Sequence, residues 1–259
     1  MSVVVKAIIL SSRTVGEKDV LLELLSAERG RLSALAKGGR KSLRRFVNTL
    51  EPFSLIQAHL RGGKINLPPF LDKADLLNPF ENLRLNPLAF TKTAYLGELT
   101  ECFLKPGTGQ NFFYFLQESL SVLNAGIDYW PLLKINFELF LLKTSGFSPH
   151  LGKFCLRCDQ TLNKEVFFSF SEGGVVCGNC AFEEDVLLNL KILAFLNHIS
   201  GLRPLRLRII KPDAENLKKA EQLVESFVLQ LLNREVNSLR VLKEMFNNKS
   251  LLAENGGSL

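Results

Sequence analysis

No apolar run in this chain reaches the roughly 18–20 residues that a membrane-spanning helix needs, so a helical membrane span is not expected. The opening "MSVVVKAIILSSR" is too short and too alternating for a secretory leader, and a soluble cytoplasmic protein is expected. There is no internal repeat and no low-complexity segment. Catalytic signatures are missing too. No HExxH, GxSxG or kinase motif occurs. No cluster of carboxylates and no nucleophile–base pair suggests chemistry on a substrate. The chain therefore reads as a binding protein and not as an enzyme. Acids are missing from one place in particular. From Arg29 to Arg45 there is none, against seven cations: Arg29, Arg31, Lys37, Arg40, Lys41, Arg44 and Arg45.

What is present is an ordinary globular composition. Of 259 residues, 46% are hydrophobic and 22% charged, which permits a sizeable core and argues against bulk disorder. The charge is unevenly placed. Residues 1–80 hold 13 of the 32 Lys and Arg but only 7 of the 26 Asp and Glu. The rest of the chain is balanced, so the whole net charge of +6 sits in the N-terminal third. A localised positive field suits an anionic partner.

The first 75 or so residues have the texture of β structure. "VVVKAIIL" (3–10) is β-branched and apolar. Residues 19–38 hold two apolar runs around "AERG", and residues 50–71 another pair around "RGGK". Short strands with glycine turns at this density fit a small closed barrel better than an open sheet. Prolines 79 and 87 punctuate a junction, after which helical patterns dominate: 87–104, 110–126, 129–146, 183–200 and 213–236. In the third, Pro131 suits a first turn and Gly146 a C-cap.

"CLRC" (155–158) and "CGNC" (177–180) interrupt the helices with the spacing C-x2-C-x18-C-x2-C. In a chain without an export signal this pattern reads as a metal site rather than a disulfide framework. Cys155, Cys158, Cys177 and Cys180 would present four thiolates to one Zn2+. That closes the coordination sphere and makes the ion structural. "VFFSF", a Gly-Gly turn and "VV" between the pairs read as a supporting hairpin. His150 is an optional substitute ligand; His59 and His198 are unremarkable, and Cys102 reads as a small buried apolar residue. The module is not basic: Arg157 and Lys164 face Asp159, Glu165 and Glu172.

"GGRKS" resembles a phosphate-binding loop only superficially. That motif needs glycine directly before the lysine and five residues earlier. Here those positions are Arg40 and Leu35, and the setting is not a strand–loop–helix unit. Taken on its own terms, the stretch is a nucleic-acid grip. Gly38 and Gly39 let backbone approach a phosphate, and the cations neutralise it with counterion release. Phe46 and Phe53 could stack a base, but in a chain with 20 Phe core packing is the better reading for either.

The N-terminal motifs, taken together, are similar to those of the RecO family of bacterial recombination and repair proteins. They are R-x-x-G-E-x-D (Arg13, Gly16, Glu17, Asp19), E-x-G-R (Glu28, Gly30, Arg31), AKG-x-RKS (36–42) and L-x-PF (50–53). "AYLGELTECF" (94–103), "FELFLLKTSGFSPHLGKFC" (137–155) and the two CxxC pairs extend the likeness over nearly the whole chain. The resemblance implies an α+β protein. An OB-fold β-barrel is followed by a mostly helical domain that a small four-cysteine zinc module interrupts. The expected division is 1–79 for the barrel, 80–152 and 183–247 for the two helical parts, 153–182 for the zinc module, and 248–259 as a flexible tail. It further implies a nucleoid-associated mediator that binds single- and double-stranded DNA and anneals complementary strands without ATP. With RecR, such a mediator helps load RecA onto DNA coated by single-strand-binding protein. The family's DNA-contact positions carry over onto Lys37 and Arg40, with Lys41, Arg44 and Arg45 beside them and Arg31 in the same cationic run. The acidic C-terminal tail of single-strand-binding protein would dock on the helical part, where residues 131–145 offer Lys134 and Lys143. A zinc-containing transcription regulator is the alternative, but no clear helix-turn-helix is present.

Overall fold

The structure is a computed structural model that describes residues 2–42, 44–62, 67–127, 129–163 and 165–255. It divides into two compact units, Met1–Ile127 with Val236–Leu259, and Asp128–Glu235.

The first unit begins with five strands: β1 (Ser2–Val15), β2 (Asp19–Ser26), β3 (Gly30–Ala36), β4 (Leu55–Arg61) and β5 (Phe70–Asn78). β1 is long enough to serve two neighbours. Its first half pairs with β4 and its second with β2, and a bulge between Ile9 and Ser11 bends it between them. The inner face is lined by alternating residues, among them Val5, Ile9, Leu22, Leu24 and Ile56. Five inner positions are alanine, which lets the sheet curl tightly. β2 and β3 form the expected hairpin across "AERG". The link between β4 and β5 at "RGGK" lies partly outside the described residues.

The expected OB-fold barrel is corrected here. The strands follow the order β1-β2-β3-β5-β4, with β4 returning to β1. Four seams are ladders of seven or eight residue pairs, but β3 and β5 meet at one parallel pair, Leu35↔Phe70. The strands close on themselves through a single bridge at the β3–β5 seam and are not laddered all the way round as expected. The cause is local. Pro68 and Pro69 precede β5 and have no N–H to give a ladder, so Leu35 N–H reaches the Pro69 carbonyl and the seam ends. On the other side β3 stops at Ala36, where Gly38 turns away at φ 63°.

Helices α1 (Glu81–Leu85), α2 (Pro87–Phe103) and α3 (Gln110–Asn124) follow. Asn86 caps α2 by accepting from Leu88 and Ala89 N–H, and Pro87 fits its first turn. The last helix, α7 (Asn237–Asn255), also belongs to this unit. Its first amides, on Asn237 and Ser238, are received by the Glu98 carboxylate on α2. The final four residues of the expected tail lie outside the described residues.

The second unit holds α4 (Trp130–Ser145), α5 (Leu190–Ser200) and α6 (Ala214–Leu232) around a small sheet of β6 (Val166–Ser169), β7 (Gly174–Cys177) and β8 (Val186–Leu188). Gly146 ends α4 in the left-handed conformation, φ 84°. Helix was expected from residue 183. Instead Val186–Leu188 pairs with β6 as a third strand, and α5 starts after Asn189, whose side chain accepts from Lys191 N–H.

Candidate nucleic-acid interface and metal centre

The basic stretch begins where β3 ends. A short 3-10 turn, Gly39–Lys41, carries it across the end of the sheet. Three contacts fix its course. Asp19 accepts the Gly38 amide at 2.8 Å, Arg40 N–H reaches the Lys18 carbonyl at 3.1 Å, and the Arg45 guanidinium holds the Lys37 carbonyl at 2.7 Å. Gly39 is buried, and a Cβ there would stand 2.9 Å from Leu50 and 3.1 Å from Ala36. The glycine pair thus lets the turn lie flat on the core. Lys37, Arg40, Lys41, Arg44 and Arg45 are all exposed, with the Arg45 guanidinium turned back 5.0 Å over the Phe46 ring and the Lys37 ammonium 4.7 Å over that of Phe70. A groove of about 390 Å³ takes in Arg40 and is lined besides by Ser12, Val20, Ser42, Val47, Asn48 and the acid Glu51. Five exposed cations on one pinned turn can receive a phosphodiester backbone.

Arg31 stands apart. It lies at the opposite end of β3 from Lys37. Its guanidinium is shared between Glu23 at 3.1 Å and the Leu104 carbonyl at 3.0 Å, and its backbone bonds Thr108 and Gly107. Phe46 and Phe53 are core residues, 4% and 6% exposed; Phe53 meets Phe90 edge-on at 5.6 Å and fills the space left by Gly97. Two of the motif residues have structural tasks that the sequence alone did not assign. Asp19 holds the basic turn, and Glu28 reaches across to the Lys6 amide of β1 at 3.1 Å.

In the second unit the four cysteines converge. The Sγ atoms of Cys155, Cys158, Cys177 and Cys180 all lie within 4.8 Å of one another, and Cys158 and Cys177 are 3.8 Å apart. Tetrahedral thiolates about 2.3 Å from one ion have edges of about 3.8 Å, so the donor set fits Zn2+. Burial opposes ionisation of Cys155, but backbone N–H groups of Cys177, Arg157 and Cys158 overcome it and bring that thiol down to about 6. Cys180 is pushed up to about 12 by its hydrogen bonds to Cys158 and Cys177 and by burial. His150 is not one of the converging groups; its backbone pairs with Gly173 and Val175 instead. Cys102 is half-buried.

Arg157, inside the first CxxC, is the residue that sequence inspection undervalued. Its guanidinium binds Asp185 at 2.7 Å, Glu172 at 2.8 Å, Ser169 at 3.2 Å and the Cys180 carbonyl, and it lies 3.9 Å over the Phe182 ring. It ties one cysteine turn to the other and to the hairpin. This charge is spent internally, consistent with a module that is not a basic surface. The other candidate lysine of this unit, Lys134, is also committed. It is 1% exposed and faces Glu138 at 3.1 Å, Glu225 at 2.9 Å and Glu221 at 3.7 Å. Lys143 is exposed. No helix of the described residues is long and apolar enough to cross a membrane.

The chain matches two family models along its length. Residues 1–80 match the model described as Recombination protein O N terminal, and residues 84–240 that described as Recombination protein O C terminal. The chain belongs to the RecO family. Its relatives include the DNA repair protein RecO of Syntrophotalea carbinolica, 30% identical over 256 residues, or 95% of this chain and 96% of that protein. The DNA repair protein RecO of Anaeromyxobacter sp. is 30% identical over 92% of this chain and 94% of its own length. That of Myxococcus xanthus is 29% identical over 92% and 96%. RecO membership places the chain among the DNA-repair and recombination mediators, which act without catalysis of their own.

Proposed function

We propose that this chain binds single- and double-stranded DNA through the basic turn at the end of the curled sheet and anneals complementary single strands. The observation that carries this is the exposed array of Lys37, Arg40, Lys41, Arg44 and Arg45, held on a turn that Asp19 pins. Two strands repel each other as polyanions. A cationic surface screens that repulsion, and base pairing supplies the driving force. Backbone contacts carry no sequence code, so affinity should be similar on all sequences and fall steeply with salt. Arg31, its guanidinium shared between Glu23 and the Leu104 carbonyl, supports the strand that leads to the turn.

In the cell this chain acts as a recombination mediator. With RecR it helps load RecA onto DNA coated by single-strand-binding protein, whose acidic tail it engages. The four cysteines hold a structural Zn2+, which Arg157 and its carboxylate partners brace. The test is annealing of complementary single strands without ATP, bare and coated with single-strand-binding protein. Fast annealing that survives the coat and collapses at high salt is expected. Tight binding with no annealing would overturn the mediator reading in favour of a passive DNA-binding module.

A further inference from the structure

The charge balance of the chain beyond residue 80 conceals a second acid-free stretch. From Val186 to Pro212 there is no Asp or Glu, and there are five cations: Lys191, Arg203, Arg206, Arg208 and Lys211. Four of them fall within nine residues, on and beside a 3-10 turn, Pro204–Ile209, in the unit Asp128–Glu235. In such a turn residues three apart eclipse one another, roughly 6 Å along the axis. Pro204 and Leu207 therefore share the inner row, and both are buried. Arg203 and Arg206 form one outer row, and Leu205 and Arg208 the next; all four are exposed, as is Lys211 just beyond.

The turn is braced from behind. Tyr129 Oη donates to the Pro204 carbonyl at 3.0 Å, and the buried Asn136 amide donates to the carbonyls of Ile199 at 2.7 Å and Leu202 at 3.1 Å. Where cations of this unit serve its own architecture they face carboxylates, as Lys134, Arg157 and Lys219 do. Among the described residues, Arg206, Arg208 and Lys211 make no ion pair. Uncompensated arginines on a rigid ledge cost solvation freedom and self-repulsion without stabilising the fold.

We propose that this ledge is a second contact for single-stranded DNA, separate from the basic turn at 37–45. Rows of cations at a regular step, with no acid between them, suit a repeating polyanion better than a single carboxylate. Guanidinium groups bind phosphate oxygens in pairs and stack on bases. The apolar surfaces of Leu205 and Ile209, 48% and 67% exposed, can lie against base faces between them. The inference rests on the annealing function and deepens it, since annealing requires one protein to manage two strands.

The test uses the full chain and a labelled oligothymidylate of about eight nucleotides, within the span one binding groove covers. Arg206→Gln, Arg208→Gln and Lys211→Gln are made together. Their side chains are exposed, and an unchanged melting curve would verify folding. The expected result is that the oligonucleotide bound per chain roughly halves, that the slope of log K against log salt shrinks by about 2 at ~0.7 per phosphate, and that annealing slows at least about tenfold. Arg206→Lys with Arg208→Lys, Lys211 being kept, should retain binding. An unchanged titration and unchanged annealing would overturn the inference, as would loss of polyglutamate-peptide binding with oligonucleotide binding intact. Lys37→Gln, Arg40→Gln and Lys41→Gln, made together, separate the two readings. If that variant alone loses DNA, the ledge is refuted and the first site stands. If neither variant loses DNA, the proposed function itself fails.

Discussion

The Asp19 carboxylate accepts the backbone amide of Gly38 at 2.8 Å, joining the start of β2 to the turn that carries the cations. A negative charge in the middle of the proposed DNA-binding surface looks counterproductive until this bond is seen. It shapes the loop and leaves the cations exposed.

Asp19→Ala should therefore weaken DNA binding without removing any cation. The lost charge-assisted bond is worth about 1.5–3 kcal/mol, spread between loop order and stability. Hydrogen exchange at the Gly38 amide should accelerate accordingly. Asp19→Asn keeps an acceptor and should recover much of the protection.

Charge removal should separate two kinds of arginine. Lys37→Gln with Arg40→Gln should lower affinity on all sequences alike and reduce the salt slope by about 1.4 on single strands. Arg31→Gln should leave the slope nearly unchanged. It should instead cost about 1–3 kcal/mol in urea unfolding, because Glu23 and the Leu104 carbonyl lose their partner. Altered preference among sequences in either variant would contradict backbone binding.

Gly30 and Gly16 both have positive φ, 67° and 62°, but only one is crowded. A Cβ at Gly30 would stand 2.2 Å from the Thr108 carbonyl oxygen, whereas nothing lies within 4 Å at Gly16. Gly16→Ala should cost about 1–2 kcal/mol from the backbone conformation alone. Gly30→Ala should cost several kcal/mol more and disturb the contact of β3 with residues 105–108. Denaturant melts of the two variants make the comparison.

Metal removal should act locally. Cys158→Ser, or a chelator, should release one metal ion per chain, measured by elemental analysis. The segment 153–182 should then become protease-sensitive, because its knuckles and the Arg157 contacts depend on convergence of the four sulfurs. Binding of DNA to the basic turn should persist.

Lys134 gives a pH prediction with a definite sign. Burial lowers its pKa, but the charges of Glu138, Glu225 and Glu221 outweigh burial and raise it above the ordinary 10.5. Its contribution to stability is thus complete below 10.5 and is lost as pH climbs through the raised folded value. Lys134→Met should destabilise the unit by about 3–5 kcal/mol at neutral pH, since Glu138 is left buried without its cation.

Much was legible in the chain itself, because it depends on residues close in sequence. The two CxxC turns, the hairpin between them and the Pro131 and Gly146 ends of α4 are set by spacing, strand pattern and backbone preference. The basic stretch, its two glycines and the failed phosphate-loop match needed only reading. What the tertiary structure decided was charge compensation and closure, which depend on partners far along the chain. Arg31 and Arg40 are the same residue type a few positions apart, yet one is spent on Glu23 and the other faces outward. Arg157 reads as a stray cation until Asp185 and Glu172 arrive from 28 and 15 residues away. The acids of "EEDVLL" look like a helix start, but Arg157 claims Asp185 and β6 claims Val186–Leu188. The curled sheet closes at a single pair because Pro68 and Pro69 meet β3 where a ladder would need their missing amides. Local sequence sets what a segment prefers; only the assembled fold supplies the opposite charge, the donor or the obstruction that decides what it becomes.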